Sequence, residues 1–212
     1  MPDVRRSLPY LILLLSAASA FVAVWWWREQ PVRFAARVID AARSEGGLGE
    51  DLVDAELVER VRRVELVRRL SVDTASRQML LGALAGEVGP DRQYPPADRP
   101  LRQRERAARG IKARLAGPCT ARRWSEGGAA WIARITGPGQ SPLPEEAVAE
   151  QRALGGRLAG AWSVRVSCER GELALLLVRG PGLGLRVAEI FDPARATPGV
   201  GIETSPFDPN MK

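Results

Sequence analysis

The hydrophobic positions of this chain begin with an uninterrupted apolar run near the N-terminus. Residues 8–27 (LPYLILLLSAASAFVAVWWW) contain no charged side chain and follow a short tail, 1–7. As a helix, such a run extends about 30 Å, which matches the hydrocarbon core of a bilayer. Its C-terminal end carries residue types that favour a membrane interface, namely Trp25, Trp26, Trp27 and Arg28. The pattern therefore predicts a transmembrane helix over 8–27.

The same segment has the features of a cleaved signal peptide. Arg5 and Arg6 form a basic start, an apolar stretch follows, and Ala18-Ser19-Ala20 resembles a cleavage site. Because the apolar run continues past that site, we favour an anchor over a cleaved leader. A short basic tail favours a cytoplasmic N-terminus, although the arginines that follow the run favour the opposite topology. We expect a single-pass protein of the bacterial inner (cytoplasmic) membrane with a periplasmic C-terminal domain.

Beyond the apolar run, apolar residues recur at helical spacing. Three segments have this pattern: 31–45, 51–70 and 74–86. Asp73 is placed to cap the third helix. For the second, we favour an ordinary amphipathic helix over a short coiled coil, because the heptad pattern fails at Arg68. Together these segments predict a helical stalk over 28–86, and the proline-rich stretch 87–99 predicts a linker.

An internal repeat covers much of the C-terminal half. Residues 109–139 align with 152–182 without a gap and share 11 identities in 31 positions. Composition alone gives about three identities over that length, so we interpret the region as a duplicated unit. The alternative is a chance match in a chain rich in Gly, Arg and Ala. The longest shared runs are Arg-Leu-Ala-Gly at 114–117 and 157–160, and Gly-Pro-Gly at 137–139 and 180–182.

The second copy of the repeat is the easier one to interpret. Residues 162–168 alternate between apolar and polar, which is typical of a half-buried strand. Residues 173–178 are apolar on both faces, as in a central strand. Transferred to the first copy, these patterns predict strands at 119–124 and 129–136, with helices before the two strand pairs at 100–116 and 143–158. The result is a duplicated αββ unit over 100–191, an α+β domain with a ferredoxin-like antiparallel sheet and both helices on one face.

This layout resembles type II secretion protein M and the type IV pilus assembly-platform protein O. The resemblance rests on a short tail, one transmembrane helix, a helical stalk and an αββαββ domain, and it involves no signature motif. Two features depart from that layout: Gly46-Gly47 interrupts the stalk, and Leu183–Phe191 follows the second repeat. The resemblance implies a non-enzymatic scaffold that dimerises through its domain or its stalk.

Composition excludes several kinds of chemistry. The 212 residues include no His and 2 Cys, so a His-based triad, a His general base and a haem axial His are impossible. Two Cys without His do not complete a structural zinc site. The loop Gly180-Pro181-Gly182-Leu183-Gly184 lacks the third Gly of a dinucleotide-binding motif. We therefore expect no catalytic residues, no metal, no cofactor and no small-molecule substrate.

Cys119 and Cys168 raise a question that the sequence leaves open. A bridge between them would close a loop of about 50 residues and stabilise the fold by about 4 kcal/mol. In the predicted αββαββ sheet, however, their strands lie on opposite edges, beyond the limit of about 7 Å between bridged Cα atoms. An intramolecular disulfide, two buried free thiols and an intermolecular bond all stay open.

Positive charge is concentrated in one segment. The formal net charge of the chain is +6, whereas residues 99–123 alone contain nine cations and one anion. These cations surround the thin apolar stripe of the helix predicted at 100–116, as in a patch for lipid head groups or an acidic protein. A solvated helix face is the alternative, and no nucleic-acid-binding module is recognisable. The candidate patch consists of Arg102, Arg106, Arg109, Lys112 and Arg114.

These observations predict a non-enzymatic single-pass membrane scaffold within a multi-protein envelope assembly, most specifically a secretion or pilus platform. The expected partners are the membrane and other protein subunits or a second copy, and not nucleic acid. One alternative is an accessory structural subunit of a respiratory, photosynthetic or transport membrane complex. Another is an envelope binding module or carboxylate-based hydrolase. Residues 192–212 contain four prolines and are expected to form an extended tail.

Overall fold

Helices and strands account for most of the chain in this computed structural model, which describes residues 4–72, 76–88, 92–115, 117–138, 142–180 and 184–196. For residues 4–9, 11, 12, 23 and 195 the description is limited to the backbone. The helices are α1 (Val4–Arg43), α2 (Ala55–Val72), α3 (Arg77–Ala85), α4 (Arg99–Arg114), α5 (Ser125–Thr136) and α6 (Glu145–Leu158). The strands are β1 (Cys119–Arg123), β2 (Trp162–Cys168), β3 (Gly171–Arg179) and β4 (Leu185–Phe191), and a short 3-10 helix follows at Pro193–Ala196.

The four strands form one antiparallel sheet in the order β1-β2-β3-β4. A tight turn joins β2 to β3, and a hairpin loop joins β3 to β4, where the Gly180 N–H donates to the Gly184 carbonyl at 2.7 Å. Helices α5 and α6 lie between β1 and β2 along the chain. The α+β class and the four-stranded antiparallel sheet are therefore confirmed, with the strands in chain order.

Helices cover both faces of this sheet. Because alternate side chains of a strand point to opposite faces, β3 contributes to two cores and is buried from Leu173 to Val178, as predicted for a central strand. Helices α1 and α4 pack on the face that carries Leu173, Leu175 and Leu177. Helices α2, α5 and α6 pack on the face that carries Ala174, Leu176 and Val178. The prediction that the helices share one face is therefore wrong.

Segments predicted to form a stalk contribute to both helical layers. The C-terminal third of α1 buries Phe34, Ala35, Val38, Ile39 and Ala42. After α1 the chain turns at Gly47, whose φ of 65° favours glycine. Residue Val53 then forms a parallel bridge with Val187 and covers the outer edge of β4. Asp54 caps α2 by accepting the Leu57 N–H at 3.0 Å.

The cap of α3 differs from the predicted one. Asp73 lies outside the described residues. Ser76 caps the helix, because its side chain accepts the Met79 N–H at 3.3 Å. The helix ends at Gly86, whose φ of 81° is the left-handed conformation typical of a glycine C-cap.

The first repeat copy departs from the predicted αββ pattern. Its second strand, predicted at 129–136, is part of α5, whose buried positions fall at helical spacing: Gly127, Gly128, Trp131 and Ile135. None of the 11 identities falls within 129–136, so the alignment carried no evidence about that segment. The fourth strand is β4, in the segment Leu183–Phe191 that follows the second repeat. The fold is therefore not a duplicated αββ unit.

The predicted transmembrane helix is corrected by the structure. Within the described residues, no helix is both long enough and apolar enough to cross a membrane. A spanning helix needs about 20 consecutive apolar residues. The prediction over 8–27 is therefore wrong, and so is the single-pass inner-membrane location built on it.

Candidate functional site

The most distinctive surface of the molecule is the N-terminal part of α1. Among the described side chains from Tyr10 to Trp27, ten large apolar ones are 45–74% exposed. They are Tyr10, Leu13, Leu14, Leu15, Phe21, Val22, Val24, Trp25, Trp26 and Trp27. We call residues 10–27 the apolar segment. Exposed apolar surface of this extent on one element is typical of an interaction site.

Apolar side chains lie on every side of this segment. Consecutive residues of an α-helix are about 100° apart around its axis. Three consecutive exposed leucines, 13–15, therefore reach round most of the circumference, and so do the three tryptophans at 25–27. Ser16 and Ser19 satisfy their hydroxyls within the helix by donating to the carbonyls of Leu13 and Leu15. A helix that is apolar all round is stable when it is enclosed.

The tryptophans predicted to lie at a membrane interface connect the apolar segment to the sheet. Trp27 packs edge-on against Trp162, the first residue of β2, with 6.0 Å between ring centroids. The guanidinium carbon of Arg179 lies 4.2 Å from the Trp27 ring centroid and 5.5 Å from that of Trp162. Arg28 is exposed. These cation–π contacts fix the position at which the apolar segment leaves the domain.

A groove of about 490 Å³ lies where α1 passes the start of β4. Three arginines line it, Arg33, Arg37 and Arg186, together with the apolar side chains of Trp26, Phe34 and Leu185. Arg33 lies over the Trp25 ring at 5.3 Å, and Arg37 lies 5.9 Å from the Phe34 ring. We call this feature the arginine groove. Its Trp26 wall belongs to the apolar segment, so the two surfaces are continuous.

The predicted basic patch on α4 is brought together on one helix, where two of its five cations pair with carboxylates. Arg102 pairs with Glu105 at 3.0 Å, and Arg114 pairs with Asp192 at 3.2 Å. Lys112 donates to the Ser44 carbonyl at 3.4 Å. The remaining members are Arg106, which is half-buried, and Arg109, which is exposed. This arrangement favours the solvated helix face over a strong anionic-partner patch.

Cys119 and Cys168 form a disulfide in this structure. They stand directly opposite each other in the β1–β2 ladder, with 4.2 Å between their Cα atoms. In the predicted sheet the two strands lie on opposite edges, too far apart for a bridge, whereas in the structure β1 and β2 are neighbours. The bond joins the open edge strand to the rest of the sheet.

Two pairs of charged side chains among the described residues have a shifted pKa. In the described part of the chain, no group of three Cys, Asp or Glu side chains is placed to hold a metal ion. Arg165 and Ser167 donate hydrogen bonds to Glu172 and lower the pKa of that carboxyl. A hydrogen bond from Arg60 to Glu150, at 2.6 Å, raises the pKa of the Arg60 guanidinium. Both pairs stabilise the charged forms, which suits cross-links between elements better than proton transfer.

Sequence reasoning missed two features of the structure, the arginine groove and the contacts of Arg43. Arg33 and Arg37 have the i,i+4 spacing of one helix face, a signal that was available. Arg186 joins them through the position of β4, which the sequence did not indicate. Arg43 was also missed: it donates to the carbonyls of Leu115 and Gly117 at 2.7 Å and 3.1 Å.

No family model, no curated protein sequence and no solved structure matches this chain.

Proposed function

We propose that the protein is a non-enzymatic assembly subunit whose apolar segment is enclosed by the apolar helices of a partner protein. The observation that carries this proposal is the exposure of ten large apolar side chains on one projecting helix. The folded domain would then hold or position that partner. The specific assembly, a secretion or pilus platform or another complex, stays a prediction from the sequence.

The size of the exposed surface supports a stable interaction. Fully buried aromatic side chains contribute about 150–250 Å² each, and the apolar segment contains five. With its leucines and valines, it offers on the order of 1,000 Å² of apolar surface, against about 800 Å² per partner in a specific interface. Burying that surface gives a hydrophobic driving force that suffices for association.

The distribution of the apolar side chains supports a partner with several helices. One partner helix would cover a single face of the apolar segment and leave the side chains on the opposite face in water. Because exposed apolar residues occupy three consecutive positions twice, at 13–15 and 25–27, full burial needs contacts on all sides. A groove or bundle of apolar helices provides them, and a simple pair of two identical helices does not.

The attachment of the segment to the domain supports a positioning role. Trp27, Trp162 and Arg179 clamp the segment where it leaves the sheet, and α1 continues into the core without a break. A rigid helix transmits the position of a bound partner to the domain more precisely than a flexible linker does. The geometry therefore suits a scaffold rather than a loose tether.

Native fractionation of the full-length protein from its own cells tests this proposal. We expect the protein to elute in a complex with one defined partner, and the variant Leu14→Asp/Phe21→Asp to elute as the free chain. The matched control Ala149→Asp/Gly156→Asp adds the same charge at exposed positions of α6, and we expect it to stay in the complex. If the two variants behave alike, the apolar segment is not the docking element.

A further inference from the structure

We infer that the arginine groove binds an acidic, partly apolar segment of a protein, so that the partner of the apolar segment presents carboxylates at this position. The inference rests on the proposed function, because Trp26 belongs both to the apolar segment and to the arginine groove. It adds the chemistry of the partner, which the apolar segment alone does not specify.

The arginine groove has an excess of positive charge. Arg33, Arg37 and Arg186 line it, and no carboxylate among the described residues lies within 4.0 Å of any of them. Asp51 is the one described acid in the lining, so the local balance is positive. By contrast, Arg104 of α4 pairs with Glu50 at 2.9 Å. Guanidinium groups bind carboxylates in a bidentate geometry, which favours acidic side chains as ligands.

The arginines are held in place by their neighbours. Arg33 and Arg37 lie over the rings of Trp25 and Phe34. The Arg186 side chain lies over Gly180, where an added Cβ would come within 2.8 Å of its Cδ and Nε atoms. Side chains that are already positioned lose less conformational entropy when they bind.

The floor and shape of the groove indicate what kind of anion it takes. Phe34 and Leu185 are buried at its base, whereas Arg33 and Arg37 are exposed. Binding sites for small molecules enclose about 70–90% of the ligand surface. An open groove with exposed arginines does not enclose a small anion to that extent. An extended segment with acidic residues between apolar ones satisfies both the floor and the arginines.

Peptide binding to the full-length protein tests the inference. The probe is a fluorescent peptide that alternates Glu with Leu, and the control peptide has Gln in place of Glu. We expect the Glu peptide to bind, with an affinity that falls as salt rises. We expect Arg33→Glu/Arg37→Glu to weaken binding at least about tenfold, because reversing charges inside an interface opposes the partner directly. Arg33→Gln/Arg37→Gln should weaken it as well, and circular dichroism checks that both variants are folded.

The matched control is Arg152→Glu/Arg170→Glu, which changes the net charge equally at exposed positions away from the groove. We expect it to bind within about twofold of the unaltered protein. Equal weakening by both charge reversals, equal binding of the Gln peptide, or displacement by inorganic phosphate or anionic vesicles would overturn the inference. If the unaltered protein does not bind the Glu peptide although its native complex is intact, the arginine groove is rejected and the proposed function still stands.

Discussion

The guanidinium of Arg43, at the last residue of α1, lies 2.9 Å from the Sγ atom of Cys119 in the disulfide that joins β1 to β2. The same group donates to the carbonyls of Leu115 and Gly117. One side chain therefore ties the end of α1 to the connection between α4 and the sheet.

Replacing Arg43 with alanine is expected to destabilise the fold. Hydrogen bonds from a charged donor are lost and a partly buried carbonyl is left unpaired, which costs about 1–3 kcal/mol. Urea denaturation measures the effect. Arg43→Lys should restore less than half of the lost stability, because a lysine ammonium lacks the planar set of donors that a guanidinium offers. Arg152→Ala, at an exposed position of α6, should change stability by less than about 0.5 kcal/mol. Equal values for Arg43→Ala and Arg152→Ala would contradict this account.

Opening the disulfide is expected to cost about 4 kcal/mol, because it closes a long loop in the unfolded chain. The sequence separation of the two cysteines is 49. We expect Cys119→Ser/Cys168→Ser to unfold at a lower urea concentration than the oxidised protein and to be insensitive to reductant. Two thiols labelled by a thiol reagent in the native, unreduced protein would show that the bond is absent in solution.

Two glycine substitutions are expected to act in opposite directions. A Cβ at Gly128 would lie 2.2 Å from Oγ of Ser163, so Gly128→Ala should destabilise the fold by about 1–3 kcal/mol. A Cβ at Gly156 would have no atom within 4 Å, so Gly156→Ala should stabilise α6 by about 0.4–1 kcal/mol. Thermal unfolding of both variants makes the comparison. A second substitution tests the clash itself. Ser163→Gly removes the side chain that the new Cβ would meet, so it should restore part of the stability lost in Gly128→Ala.

The pH dependence of stability should depend on Glu172. Its pKa is lower in the folded protein because of hydrogen bonds from Arg165 and Ser167. A depressed carboxylate pKa stabilises the folded state above the unfolded pKa and loses this effect as pH falls through the folded pKa. The stability difference between the unaltered protein and Glu172→Gln should be present above about pH 5 and shrink at lower pH. Urea denaturation at several pH values measures this difference, and a difference that does not change with pH would contradict the role given to the Arg165–Glu172 pair.

Local patterns predicted the elements better than their arrangement. Period-2 alternation found β2, and the doubly apolar run found β3, because these signals come from the residues that form the core. Strand 129–136 was predicted by transfer from the other copy, although Trp131 and Ile135 have the i,i+4 spacing of α5. Because 129–136 is helical and not a strand, β1 pairs directly with β2, and Cys119 lies opposite Cys168.

The candidate site was predictable in part. The apolar run and its tryptophans are evident in the sequence, but the packing of Trp27 on Trp162 depends on tertiary structure. The arginine groove combines α1 with β4, which are about 150 residues apart along the chain, so no local pattern indicated it. Charge density pointed instead to α4, where ion pairs such as Arg114 with Asp192 offset part of that charge.

Site-specific photo-cross-linking in the native cells tests whether a partner protein encloses the apolar segment. A photoreactive amino acid is placed in turn at positions 13, 14 and 15, which face different sides of α1, and at position 152 as an exposed control. Enclosure by a partner protein predicts that all three positions in the apolar segment cross-link to the same protein and that position 152 does not. Cross-links from one face alone, cross-links to lipid, or no cross-links at these positions would contradict the claim that a multi-helix partner encloses the apolar segment.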